Sequence, residues 1–286
     1  MAARVLDGRV IAARVWADLE PLATAYAAAH GRPATVAILA VGRDPASNVY
    51  TRSLRRAAVS LHMDARLIRL SEDIIDVDLR RAIEDLNADP DVQGVLVELP
   101  LPAHLSQQVV AEAIDPHKDV DGIGVRNMGN LFLRLPSFVP ATCAAVLEIL
   151  DRSEIALAGQ RAVVVGASNV VGKPLAFMLL RRNATVTVCH IDTRDLAHWT
   201  RQADVLAVAV GRPGLITAAM VKPGAVVVDV GINVREDGTI IGDVAFDEVA
   251  AVAGAITPAP GGVGQLTNLM LLRQTLLAGD LLDTEE

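Results

Sequence analysis

Arg161-Ala162-Val163-Val164-Val165-Gly166-Ala167-Ser168-Asn169-Val170-Val171-Gly172-Lys173-Pro174 is the stretch whose pattern points to the fold. Its first residues make an apolar run of strand length that stops at a glycine. From Gly172 the pattern turns helical, and Pro174 is favourable in a first helical turn. Strand, tight turn and helix in succession form one βα unit. Gly166 lets the backbone turn sharply, and the helix start offers amide N–H groups and a positive dipole end to an anion. A diphosphate fits such a loop. The spacing G-x-S-x-x-x-G departs from the usual G-x-G-x-x-G, and an ordinary glycine-bearing turn would produce it too.

The flanking sequence favours the diphosphate. Strands are expected at 184–190, 204–210 and 225–230, with helices at 172–182 and 195–201 between the earlier ones. Strands alternating with helices imply a parallel sheet. Ala207-Val-Ala-Val-Gly211 and Asp229-Val-Gly231-Ile232-Asn233 end apolar strands in glycine, at the carboxyl edge where open sheets bind ligands. His190, Ile191 and Asp192 follow the second strand, where the adenosine ribose of a dinucleotide is expected. Asp192 there favours NAD by repelling an extra phosphate, whereas Arg194 favours NADP, and a solvated loop accounts for both equally well. A nicotinamide dinucleotide is the expected ligand of this half, with NAD and NADP both open.

The amino-terminal half repeats the rhythm. A helix is expected at 9–30, stopped by Gly31 and Pro33, then strand 35–41, helix 46–62, strand 65–70, helix 76–88 and strand 94–99. The glycine-rich stretch 115–140 reads as a crossing between lobes, followed by helix 141–151. An apolar helix at 266–278 has no sheet of its own and is expected to pack back on the first lobe. The fold expected is therefore α/β with two domains: an N-terminal α/β lobe, residues 1–139 plus 265–286, and a Rossmann-like parallel-sheet domain, residues 140–264, with a ligand cleft between them.

A chain of 286 residues, 52% hydrophobic and 21% charged, suits a well-buried globular protein of two ordinary domains. The net charge of −8 argues against binding nucleic acid or an anionic membrane surface, which leaves small molecules. Cys143 and Cys189 are too few for a disulfide framework and lack zinc spacing. With no apolar leader and no run of 18 uncharged apolar residues, a cytoplasmic location is expected.

Asp115-Pro-His-Lys-Asp119-Val-Asp121-Gly122 gathers three carboxylates in one loop, without a partner set that would make it a metal site, so no metal is expected. Val97-Glu98-Leu99-Pro100-Leu101-Pro102 places a carboxylate at the end of a buried strand. These segments, with Asp7-Gly8, Val41-Gly-x-x-Pro45-Ala-Ser47-x-x-Tyr50, the Gly166–Pro174 loop, Asp229–Asn233 and Thr257-Pro-Ala-Pro260-Gly261-Gly262-Val-Gly264, resemble the methylenetetrahydrofolate dehydrogenase/cyclohydrolases, the FolD-type enzymes of one-carbon metabolism. The similarity runs nearly end to end. It implies that Tyr50, Leu99 and Pro100 meet a folate, that Asp121 holds its pterin, and that the Pro260, Gly261, Gly262 loop lies beside the nicotinamide. It also implies that Gly166, Ala167, Ser168, Val171, Gly172, Ile191, Asp192, Gly211, Ile232 and Thr257 take the dinucleotide. A homodimer formed through the nucleotide domain is a further implication.

The chain departs from that family at the chemistry. The family pattern is Tyr-x-x-x-Lys, with the lysine as the central catalytic group, whereas here Tyr50 is followed by Leu54. The glutamine that orients the lysine is Glu98, the hinge Pro-Cys-Thr-Pro is Pro140-Ala-Thr142-Cys143, and the proline after Gly-Gly-Val-Gly is Gln265. Oxidising a methylene bridge is hydride transfer that leaves a delocalised amidinium and needs no proton acceptor. Hydrolysing the methenyl cation needs a base for water. Leu54 therefore threatens the hydrolase more than the dehydrogenase. Glu98, beside an apolar Leu54, would lose solvation, while a neighbouring amidinium would favour its charged form. Its expected role is to stabilise the developing cation or to replace the lysine as base. Two other readings share these residues: a paralogue acting on a modified pterin or another cyclic aminal, and a weakly catalytic folate- or dinucleotide-binding protein.

Overall fold

A computed structural model describes residues 3–43, 45–235 and 237–278, with the backbone alone at 45–47. It comprises strands β1 (Arg4–Val5), β2 (Thr35–Val41), β3 (Asp64–Leu70), β4 (Gly94–Val97), β5 (Arg161–Val165), β6 (Thr185–Cys189), β7 (Val205–Val208), β8 (Val226–Asp229), β9 (Asn233–Val234), β10 (Ile240–Ile241) and β11 (Ala255–Ile256). The helices are α1 (Gly8–His30), α2 (Pro45–Ser60), α3 (Asp76–Ala88), α4 (Gln107–Ala113), α5 (Val125–Leu133), α6 (Ala141–Arg152), α7 (Gly172–Arg181), α8 (Leu196–Thr200), α9 (Phe246–Ala250) and α10 (Thr267–Leu276). The chain divides into two compact units, Arg14–Ala141 with Asn268 onward, and the residues up to Ala13 with Thr142–Thr267.

In the unit built on Arg14–Ala141, three parallel strands lie in the order β3-β2-β4. Central β2 is almost wholly buried from Thr35 to Ala40, as expected of a parallel strand covered on both faces. Ala37, Leu39, Val95 and Val97 pack with Leu79 and Ile83 of α3 and Val109 and Val110 of α4. The expected strand 94–99 ends at Val97, because Pro100 and Pro102 supply no ladder donor, although the Glu98 N–H still reaches Leu39 O at 2.9 Å. The last helix lies on this unit, as its lack of a sheet suggested. Thr275 of α10 packs so closely on Gly94 that a Cβ there would meet its hydroxyl at 2.8 Å.

Three helices were not expected, the short α9 among them. α4 precedes the loop at 115, and α5 lies inside the stretch 115–140 taken as a plain crossing. The glycines made α5 look like loop, but the buried Asp119 carboxylate accepts the N–H groups of Ile123 at 3.1 Å and Gly124 at 2.8 Å and so fixes the turn that leads into the helix.

The other unit holds a six-stranded parallel sheet in the order β1-β11-β8-β7-β5-β6. Its core gathers Val163, Val165, Leu206, Val208, Val227, Ile256, Val249 and their neighbours. β9 and β10 form a separate antiparallel pair. The amino-terminal residues, expected in the first domain, lie here instead: Arg4 pairs with Ala255 and Val5 with Ile256. Gly8 is pressed against the loop after β11, and a Cβ on it would sit 2.1 Å from Gly262 O. A strand of two residues is too short to carry a periodic signal, so only sheet completion reveals it. The expected domain end at 279–286 lies outside the described residues.

Candidate functional site

In the Arg14–Ala141 unit the candidate residues come from the carboxyl ends of β2 and β4. Helix α2, which follows β2, buries Thr51, Leu54, Ala58 and Leu61 at helical spacing and turns Arg52, Arg55 and Arg56 to solvent. Leu54, the position of the family's lysine, is 0% exposed and part of that apolar stripe. Half-buried Tyr50 opens the stripe. Burial, then the charge of Asp121, then that of Glu98, pushes its phenol far above the ordinary range, so it stays protonated. The structure thus brings Tyr50, Glu98 and Asp121 within electrostatic reach of one another. Leu99 is half-buried and Pro100, joined to it by a cis bond, is exposed.

Glu98, 7% exposed, accepts a short hydrogen bond from the hydroxyl of Thr51, itself 2% exposed. Asp121 accepts from the Ala141 N–H at 3.0 Å. Its carboxyl is pushed up to about 7, mainly by burial, with that N–H opposing and the Asp119 charge adding to the rise. The three carboxylates of this loop therefore separate by role. Asp115 accepts from His117, Asp119 fixes the turn into α5, and Asp121 is the one whose charge acts on Tyr50. Gln274 of α10 buttresses the loop: its amide donates to Val120 O at 2.6 Å and Val139 O at 3.0 Å and accepts from Val139 N at 2.9 Å.

None of the chain's three lysines replaces the missing one. Lys118 is anchored to Leu86 O at 3.3 Å and Asp89 O at 2.7 Å, at the end of α3 that leads into β4, whereas Glu98 leaves β4 at its other end. In the other unit Lys173 holds Asn169 at 2.7 Å and Lys222 pairs with Asp204.

In the six-stranded unit the strand order reverses between β5, which leads to β6, and β7, which leads to β8 and β11. Ligands of open α/β sheets lie at such a reversal. The loops from β5 and β7 meet there: a Cβ on Gly166, whose φ is +122°, would stand 2.2 Å from Ala209 O, and one on Gly172 would stand 2.0 Å from Gly166 O. Only glycine allows this approach. Exposed Ser168 folds its hydroxyl back to accept from Val171 N at 3.1 Å and Gly172 N at 3.4 Å. Among the described residues the amide N–H groups of Ala167, Ser168, Asn169 and Val170 meet no protein acceptor. That cluster of donors ahead of a ten-residue helix fits a diphosphate.

Two apolar side chains flank the same carboxyl edge in solvent, Ile191 at 83% exposure after β6 and Ile232 at 62% after β8. Gly211 and Asp192 are exposed too. Thr257, by contrast, is fully buried, and its hydroxyl accepts from Asp229 N at 2.8 Å. Pro260 is exposed while Gly261 and Gly262 are buried against Gly8 and Arg9.

Three residues escaped sequence reasoning. Thr51 and Gln274 resemble ordinary helix positions, and nothing local marks their distant partners. Asp243, fully buried, accepts from Val210 N at 2.6 Å, Gly211 N at 2.9 Å and Asn233 Nδ2 at 2.8 Å, tying the loop after β7 to that after β8. Its neighbour Asp229 accepts from Gly231, Asp243 and Val244, and burial pushes its carboxyl up to about 6 against those hydrogen bonds. A Gly-Asp pair at 242–243 was the one available hint.

Both units resemble known proteins. Residues 6–121 match the family model of the tetrahydrofolate dehydrogenase/cyclohydrolase catalytic domain, and residues 140–281 that of its NAD(P)-binding domain. The chain is 48% identical over 280 residues to the bifunctional protein FolD of Bordetella avium, covering 98% of each. It superposes on the FolD methylenetetrahydrofolate dehydrogenase/cyclohydrolase of Campylobacter jejuni with a TM-score of 0.94 at 42% identity, over 98% of this chain and 99% of that one. The Trypanosoma brucei enzyme, solved with NADP cofactor and an inhibitor, gives 0.92 at 34% identity, over 96% and 97%. With both units matched over nearly their whole length, the chain belongs to the tetrahydrofolate dehydrogenase/cyclohydrolase family.

Proposed function

We propose that this protein oxidises 5,10-methylenetetrahydrofolate to 5,10-methenyltetrahydrofolate with NAD or NADP, in one-carbon metabolism. The observation that carries this reading is the grouping of Tyr50, Glu98 and Asp121 where the lysine position is a buried leucine. The bound nicotinamide supplies a hydride acceptor. Hydride leaves the methylene carbon with its electron pair, and the two flanking nitrogens share the positive charge that results. No proton is moved, so Leu54 does not block the step. Asp121, as carboxylate, takes hydrogen bonds from an amino-substituted ring, and Tyr50 offers its face to the aromatic part of the substrate. Glu98 supplies negative charge where cation develops, held in place before the reaction rather than recruited by it.

Hydrolysis of the methenyl product, the family's second activity, depends on Glu98 in this chain, since it is the group near Leu54's stretch of α2 able to take a proton from water. Turnover with NAD and with NADP, followed at the methenyl absorbance and then by hydrolysis of added methenyltetrahydrofolate, tests both parts. Absence of methenyl with either cofactor sinks the first. The same reading includes a homodimer formed through the dinucleotide-binding unit, testable by light scattering, and a cytoplasmic location. No helix among the described residues is long and apolar enough to cross a membrane.

A further inference from the structure

Thr51 and Glu98 form a buried hydrogen-bonded pair across α2 and the end of β4. The threonine hydroxyl is almost fully buried and gives its hydrogen to Glu98 rather than to a carbonyl in its own helix, the usual fate of a helical threonine. Such a donor fixes the carboxylate's rotamer and satisfies one of its acceptor oxygens. The charged groups that act on neighbouring Tyr50 are both carboxylates, Asp121 and Glu98. The arginines of α2 turn outward and Lys118 is anchored at the opposite end of β4. These elements bring carboxyl groups to the site and turn their arginines and Lys118 away from it.

We infer that Thr51 is a positioning residue which orients Glu98, and that the pair makes this unit selective for a folate carrying a positive charge at its one-carbon bridge over a neutral folate of the same skeleton. The inference rests on the folate reading above and extends it from the reaction to ligand preference. Its consequence is that the methenyl product is held as the cation.

The test uses the full chain and two probes, 5,10-methenyltetrahydrofolate, cationic at the bridge, and 5-formyltetrahydrofolate, neutral there, titrated in mildly acidic buffer. The wild-type protein should bind the cation more tightly. Glu98→Gln should weaken the cation by roughly tenfold or more, the scale of losing one nearby charge in a partly buried site, and leave the neutral folate nearly unchanged. Thr51→Val should shift the ratio the same way, and Thr51→Ser, which keeps the donor, should restore it. A purely structural threonine would move both affinities together. Equal wild-type affinities, or a ratio indifferent to Glu98→Gln, overturns the inference while leaving methylene oxidation standing. Binding of neither probe, with no turnover, overturns the folate reading and this inference with it.

Discussion

The side-chain amide of Gln274 donates to the carbonyl oxygen of Val120 at 2.6 Å, one residue before Asp121. The same buried side chain makes two hydrogen bonds to Val139, two residues before Ala141, whose N–H holds the Asp121 carboxylate. Gln274 thereby braces both sides of the acid. Gln274→Leu leaves buried backbone groups without partners and should lower stability to urea by roughly 2–3 kcal/mol. The KM for methylenetetrahydrofolate should rise several-fold, with that for the dinucleotide little changed. Equal rises would show that the residue serves folding alone.

Restoring the family's pair tests the chemistry at α2 and β4. Leu54→Lys with Glu98→Gln places an amine that can lose its proton beside a neutral amide. Methenyl hydrolysis should rise on the order of a hundredfold, the usual contribution of a positioned base. Burying an ammonium in place of a 0% exposed leucine lowers the melting temperature as well. A folded double variant with unchanged hydrolysis places the barrier elsewhere.

The role of Glu98 in oxidation has its own readout. In Glu98→Ala, methenyl formation should slow by about tenfold to a hundredfold as electrostatic stabilisation of the cation is lost. Single-turnover rates with saturating cofactor measure this, and an undiminished rate removes Glu98 from the hydride step.

The raised Asp121 carboxyl makes two pH predictions. Its value in the folded chain is about 7 against an ordinary 3.8, so between those values the native state keeps a proton that the unfolded chain has released. Stability contributed by this group is full below pH 3.8, falls as pH rises and is lost above about 7. Asp121→Asn should show a shallower decline in melting temperature across that window. Binding runs the other way, because the carboxylate is the better acceptor: the KM for the folate should fall as pH rises through about 7, and the asparagine variant should lack that inflection.

Gly166→Ala probes the diphosphate loop. The added carbon would overlap Ala209 O at 2.2 Å in a backbone conformation that favours glycine, so the loop must move away from the one after β7. At least a tenfold rise in the KM for NAD or NADP is expected, with folate binding in the other unit retained. A normal cofactor KM would show that the diphosphate lies elsewhere.

Local pattern was enough for the long elements. Apolar runs such as Thr35–Val41 and Arg161–Val165, and the glycines at 166 and 172, carry their signal within a few residues, because strand period, helix capping and tight turns are short-range effects. The resemblance to the family, not local pattern, named Tyr50, Glu98 and Asp121 as candidate site residues and Leu54 as the departure from it. Short or externally held features had no such signal. β1 exists by pairing with β11, and Asp119 fixes the turn into α5. Tertiary structure alone decided that the charge of Asp121 acts on Tyr50, that Thr51 serves Glu98, and that all three lysines are spoken for at other places. The partners of Thr51 and Gln274 lie far away in the chain, Gln274 and Val120 being separated by 154 positions. Sequence names the groups available for chemistry, and packing determines which of them are left to perform it.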